Sequence, residues 1–237
     1  MFDFVAIDDD GEKSGTAETG TITITSVNDA PVIDLDADNS TDVAENSRTT
    51  FTEGLGAVNV ADVDAVLADV DSSILDSVEV SLTNIQDAGF ESLSADTTGT
   101  PLTADWDSST GLLRIFGNGT PADYEQVLQT IQYDNTSEDP TAIARVIEFV
   151  VSDGQSSVTA TATVEVVNVN DTPVVVDTSS PDVFGVEDAP SISVMLGGAD
   201  VDGTVTGFIL NELPENGTLF LDPAQTTPVQ VLSLIHI

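Results

Sequence analysis

The chain has no cysteine. Disulfides, zinc–thiolate sites and thiol nucleophiles are therefore excluded. It carries one histidine, His236, and four basic residues, Lys13, Arg48, Arg114 and Arg145. Nucleic-acid binding needs a basic surface to neutralise phosphate, and four scattered cations do not make one. Docking on an anionic membrane surface fails on the same ground. General acid–base and nucleophilic catalysis draw on His, Cys, Lys or a base-activated Ser. With so few of these, no catalytic residue and no enzymatic activity are expected. Paired carboxylates can hydrolyse glycosides, but no pair stands out from 42 acidic residues. Aromatic residues are only 5% of the chain, too few to suggest a sugar-stacking surface. No run is long and apolar enough to span a bilayer. No secretion signal follows Met1, because Phe2-Asp3-Phe4 already reads as the middle of a strand. Any export signal is expected outside residues 1–237.

What is abundant is acid. The formal charge is −38. A charge so far from zero repels itself and weakens the compact state, so bound cations, high salt or both should compensate. Yet 40% of residues are hydrophobic, which rules out a disordered acidic tail. The apolar residues are mostly Val, Ile, Leu and Ala, and Thr is frequent, a composition that favours strands.

The chain also repeats itself. Val27-Asn28-Asp29-Ala30-Pro31 returns as Val169-Asn170-Asp171-Thr172-Pro173, an offset of 170 − 28 = 142 residues. A glutamate follows each Asp at the same distance, 45 − 29 = 16 and 187 − 171 = 16, giving Glu45 and Glu187. Such repetition decides architecture before any local reading does. Asn, Asp and Glu offer the oxygen atoms that a hard cation takes. The proline after them fixes an extended exit and forbids a helix. The residue types taken alone also fit an ordinary turn linker.

The repeat divides the chain. Residues 1–27 read as the C-terminal end of a truncated repeat, with a period-two strand at Thr21-Ile22-Thr23-Ile24-Thr25. Residues 28–169 read as one complete unit. In it Val78, Val80 and Leu82 alternate with polar neighbours, Trp106 to Gly111 turns into a strand from Leu112 to Phe116, and Val158 to Val167 alternates again. One short helix is expected near 121–132. Thr120 is its cap, Pro121 its first residue and Asp123 the capping-box partner, and Tyr124, Val127, Leu128 and Ile131 share a face. Residues 170–231 read as the N-terminal part of a further, truncated repeat. There Ile192, Val194 and Leu196 alternate before a turn at Asp200-Val201-Asp202-Gly203, and Phe208–Leu210 and Leu219–Leu221 look like strands. The last residues, 232–237, match nothing before them and equal the translated end of a transposon-based sequencing adapter. They are read as an artefact, expected to be disordered or unpacked, and His236 is set aside with them.

Three features together resemble the cadherin-like repeats of large bacterial surface adhesins. One is the Asn-Asp-Ala/Thr-Pro joint. The second is the Asp153-Gly154 turn, followed by an alternating strand that runs into the joint at Val169. The third is Tyr133-Asp134-Asn135-Thr136-Ser137 to Pro140, then Arg145-Val146-Ile147-Glu148-Phe149. The third stretch is similar to repeats related to cadherins and to proteoglycan-core repeats. Glu187-Asp188-Ala189-Pro190 and Leu213-Pro214-Glu215-Asn216-Gly217 are similar to another repeat type of the same proteins.

The resemblance implies an all-β fold of tandem Greek-key, immunoglobulin- or cadherin-like β-sandwiches, with Ca²⁺ held between successive units. It implies ligands too. At the second joint the family positions fall on Glu45, on Asn170 and Asp171, and on Asp200 and Asp202. At the first they fall on Asn28 and Asp29, and on Asp153 from the far end of the unit. The downstream pair there is either Asp69 and Asp71 or Asp62 and Asp64; Asp69 and Asp71 are preferred because they lead into the Val78 strand. The family linker usually begins with an acid two residues before its Asn. Here Ser26 and Asn168 stand in those places, so weaker binding or fewer ions per joint is expected.

The implied function is a calcium-dependent structural and adhesive segment of a large secreted or cell-surface protein. Its partners would be calcium, neighbouring repeats, and a host or bacterial surface protein or glycan. The alternative is a carbohydrate-binding or spacer sandwich of a multidomain secreted enzyme. The acidic run Asp34, Asp36, Asp38 and Asp42 is expected to be a solvated face, and Trp106 to be packing rather than a sugar platform.

Overall fold

The computed structural model describes residues 1–176, 189–231 and the backbone of 234–236. Ahead of the first joint lie β1 (Phe2–Phe4) and β2 (Glu18–Gly20). The central unit contains β3 (Val32–Asp34), β4 (Ser47–Thr52), β5 (Val58–Asn59), β6 (Val66–Ala68), β7 (Ser77–Leu82), β8 (Glu91–Ser94), β9 (Thr103–Asp107), β10 (Leu112–Phe116), helix α1 (Pro121–Leu128), β11 (Gln132–Asn135), β12 (Arg145–Ser152) and β13 (Ser157–Val167). Beyond the second joint come β14 (Val174–Val176), β15 (Gly197–Ala199), β16 (Gly207–Ile209) and β17 (Leu234–His236).

The central unit is an all-β sandwich. One sheet has six strands in the order β4-β13-β12-β7-β10-β9; facing it are the three-stranded sheet β5-β11-β8 and the pair β3-β6. The reason is alternation. In β12, Arg145, Ile147, Phe149 and Val151 are buried while Val146 and Glu148 face water, and in β13 every second residue from Ala160 to Val166 is buried. The inward residues of both layers form one core, bridged by Phe51 of β4 and Tyr133 of β11, whose rings meet edge to face with centroids 5.5 Å apart. Trp106 packs against this core from β9.

Two features of the sandwich place the joints. β12 and β13 form a hairpin whose tight turn needs Gly154 in a left-handed conformation, φ +87°, and this delivers Asp153 to the end of the unit where the chain enters. At the opposite end β13 exits toward the second joint with β4 beside it in parallel, from Ser47 opposite Ala162 to Thr52 opposite Val167. A parallel edge strand therefore points at the joint rather than away from it.

Helix α1 starts as its sequence dictates. Thr120 accepts from the Asp123 N–H, Asp123 accepts from the Thr120 N–H at 2.8 Å, and Pro121 fills the first turn. It stops at Leu128 rather than running to 132, because Thr130 and Ile131 close a tight turn, Ile131 N–H donating to Leu128 O at 3.2 Å, and Gln132 begins β11. Thr120→Ala removes the cap and is expected to lower stability by about 1 kcal/mol. The test is a urea unfolding midpoint; an unchanged midpoint would mean the reciprocal bond contributes nothing.

Other expectations are corrected. Thr21–Thr25 forms no strand: no partner strand lies beside it among the described residues, and Ile22 and Ile24 stay exposed. The alternation Ile192, Val194 and Leu196 likewise remains exposed and forms no strand, with β15 beginning only at Gly197. Within the final six residues the backbone of β17 pairs antiparallel with β16, Phe208 opposite Ile235, so the segment is not free of the third unit as expected. The packing of those side chains lies outside the described residues.

Candidate metal centres

At the first joint the Asn28 amide donates to Asp153 Oδ2 at 2.7 Å, to Ser156 Oγ at 2.8 Å and to Asp29 O at 2.8 Å. The Asp29 N–H donates to Asp71 Oδ2 at 3.2 Å. Asp69 Oδ1 accepts from the N–H groups of Asp71 and Ser72, leaving its Oδ2 buried and without a partner. The Ser156 N–H above all, then the Asn28 amide and the Gln155 N–H, hold the Asp153 carboxyl well below the usual carboxylate range. The structure thus brings Asn28, Asp29, Asp69, Asp71 and Asp153 together. Of the two alternatives left open by sequence, Asp69 and Asp71 face the joint; Asp62 and Asp64 do not.

The second joint repeats two bonds of the first. The Asp171 N–H donates to Asp202 Oδ2 at 3.1 Å, and the Asn170 amide donates to Asp171 O. Gly203 lets the Asp200 carboxylate fold back, since a Cβ there would lie 2.7 Å from Asp200 Oδ2. A cleft of about 410 Å³ opens here, lined by Glu138, Asp171, Asp200 and uncharged neighbours. Burial pushes the Asp200 carboxyl up, and so do its hydrogen bond to Asp202 and the charges of Asp202 and Asp171.

Glu45 does not join this site. It is exposed and precedes β4, and its carbonyl accepts from Leu35 N–H at 3.1 Å. Because β4 runs parallel to β13, the glutamate that reaches the joint is the one that follows the strand, Glu53. Its N–H donates to Val167 O at 3.0 Å, and its Oε2 accepts from Val169 N–H at 2.7 Å. Glu53 is only 8% exposed, and its Oε1 has no partner. Carboxylate oxygens of Glu53, Glu138 and Asp171 all lie within 4.8 Å of one another. Glu187, the counterpart of Glu45, lies outside the described residues.

A third cluster is unrelated to the joints. Asp36, Asp62 and Asp64 bring carboxylate oxygens within 4.8 Å of one another. Here the expectation of a solvated acidic face is corrected, because Asp36 is fully buried, while Asp38 remains exposed. Burial pushes the Asp36 carboxyl up. The N–H groups of Asp42 and Thr41, the Thr41 hydroxyl and the Ser40 N–H more than offset this and hold it well below the usual range. The spacing of acids in a loop is readable from sequence, but the folding of one carboxylate back onto its own loop is not.

Among the described residues six buried side-chain oxygens lack a partner, and every one is a carboxylate oxygen at one of these three places: Glu53, Asp171, Asp200 and Asp202; Asp69; and Asp64. A buried acceptor without a donor costs free energy, and like charges held together cost more. Arg48, Arg114 and Arg145 form ion pairs with Asp42 and Glu165, with Glu79, and with Asp87 and Glu91, none of which belongs to a joint. The group Glu53, Glu138 and Asp171 and the group Asp36, Asp62 and Asp64 could each hold a metal ion, and their all-oxygen donor sets suit a hard one. No protein-family model matches this chain, nor does any curated protein sequence. Among the described residues no helix is long and apolar enough to cross a membrane.

Proposed function

We propose that this chain is a calcium-dependent structural and adhesive repeat segment of a large secreted or cell-surface protein, with binding but no turnover. The observation that carries the reading is the second joint. Four carboxylates there, Glu53, Asp171, Asp200 and Asp202, each keep a buried oxygen without a donor. They come from three separated stretches of chain, as a cation that ties two units together requires. Calcium suits such a site because it accepts six to eight oxygens in flexible geometry, whereas magnesium demands a tighter octahedral shell. The repeated Asp N–H to Asp-x-Asp bond at both joints fits one device used twice. Repetition of self-contained sandwiches gives length, and like charge along the array keeps it soluble. The partners of such a segment are neighbouring repeats and a surface protein or glycan.

Melting should rise with Ca²⁺ and fall with chelator, and Mg²⁺ should substitute poorly. A ligand that binds only the folded form adds RT ln(1 + [L]/Kd), about 2.7 kcal/mol at a hundredfold excess over Kd. Asp171→Ala should remove most of the shift that arises at the second joint, and Asp38→Ala, in an exposed loop, should leave it. The scattering-derived length should also become calcium-dependent. If millimolar calcium moves neither the melting temperature nor the length, the joint is an ordinary turn linker.

A further inference from the structure

Glu138 reaches the second joint from the loop 136–144, which links β11 to β12 and forms no strand of its own. Its side chain is exposed, yet it stands against Glu53 and Asp171, whose charges repel it. Something must hold the loop there. On the far side Thr141 is tied to Asp87, its hydroxyl donating at 2.6 Å and its N–H at 3.0 Å. On the near side the Asn168 amide donates to Asp139 Oδ1 at 2.9 Å and to Pro140 O at 3.2 Å. Asn168 follows β13 directly. The next residue, Val169, holds Glu53 through its N–H, and Asp171 lies two residues further on. One short run, 168–171, therefore contains the clip on the Glu138 loop, the clasp on Glu53, and a ligand oxygen.

We propose that Asn168 is a positioning residue for the cation at the second joint, its neutral amide fixing the loop that presents Glu138. This rests on the reading of that joint as a calcium site. An amide suits the task and a carboxylate does not. The amide N–H donates to the Asp139 carboxylate and the Pro140 carbonyl together, whereas a carboxylate has no donor and would repel Asp139. An acid from a different loop thus reaches the joint, and the residue at 168 is the means of bringing it in.

The two views give opposite signs for one substitution. By charge alone Asn168→Asp adds an anion beside the site and should tighten calcium binding. By the clip it should weaken binding tenfold or more, the range that loss of an outer-shell partner commonly produces at metal sites. The experiment is calorimetric titration of the whole chain with Ca²⁺, reading the component that Asp171→Ala abolishes. If the parent chain lacks that component, the calcium reading of the joint fails. If it is present, N168D and N168A should each weaken it at least tenfold. Combining N168A with Glu138→Gln should weaken it no further than Glu138→Gln alone, because the clip acts through Glu138. Binding by N168D as tight as or tighter than the parent, or full additivity of N168A and Glu138→Gln, overturns the proposal.

Discussion

Replacing Arg145 by methionine is expected to destabilise the central sandwich by roughly 3–5 kcal/mol, the range seen when one partner of a buried ion pair is removed. The shift is read from the urea midpoint of fluorescence from Trp106, the only tryptophan and one packed on this core. Arg145 is fully buried at the head of β12. Its guanidinium donates to Glu91 Oε1, to Asp87 Oδ2 at 2.7 Å, to Thr141 O at 2.9 Å and to Ile143 O. Around it the Tyr133 hydroxyl donates to Glu91 at 2.8 Å and the Asn135 amide to Asp87 at 2.7 Å. Burial first, then the hydrogen bond to Glu91 and the Glu91 charge, push the Tyr133 phenol well above its ordinary pKa. Methionine fills much of the space but leaves two carboxylates without a cation. Arg145→Lys should recover only part of the loss, since one ammonium cannot reproduce the planar fork on four acceptors. A midpoint change worth less than about 1 kcal/mol would show the network to be dispensable.

The same network fixes a pH dependence. Burial raises the Asp87 carboxyl, but hydrogen bonds from Thr141 and Asn135 and the Arg145 charge outweigh it and hold the pKa below the ordinary value. A carboxyl lowered in the fold contributes stability that is present above its unfolded pKa and is lost as pH falls through its folded one. Removing Arg145 takes away one lowering cause, so the acid limb of the stability profile should move to higher pH in the methionine variant.

What was legible in the sequence is what periodicity and turn chemistry encode locally. β7, β10, β12 and β13 alternate because one face is buried, and Thr120-Pro121 with Asp123 starts a helix without outside help. Residue type and repetition singled out Asn170 and Asp171, and the resemblance pointed to Asp200 and Asp202. Glu53 and Glu138 were not legible. Glu53 reaches the joint only because β4 lies parallel to β13, and no local pattern announces which strands neighbour each other. Equal spacing made Glu45 look like the ligand, yet Glu45 comes before β4 and Glu53 after it. Glu138 arrives on a loop held by Asn168 and Asp87, 168 − 138 = 30 and 138 − 87 = 51 residues away. Thr21–Thr25 shows the converse: alternation marks a strand only where a partner exists to pair with it.

Glu53→Gln should reverse its sign with calcium. In chelator, Glu53 is a buried carboxylate facing Glu138 and Asp171 with one oxygen unpartnered. Gln keeps the shape, and its carbonyl oxygen can still accept the Val169 N–H, but it removes one negative charge. The variant should therefore melt above the parent chain without calcium. On the proposed reading the same charge becomes a ligand once calcium is bound, and fewer ligand charges weaken binding. If affinity falls tenfold, a calcium concentration a hundredfold above the parent Kd is only tenfold above that of the variant. The stabilisation then drops from about 2.7 to about 1.4 kcal/mol. The two melting curves should cross as calcium is raised, and Glu45→Gln, altering an exposed residue ahead of β4, should follow the parent throughout. Differential scanning calorimetry across a calcium series measures this directly. If Glu53→Gln and the parent run parallel with no crossing, Glu53 does not touch the cation, and the upstream ligand of the joint must be sought elsewhere in the chain.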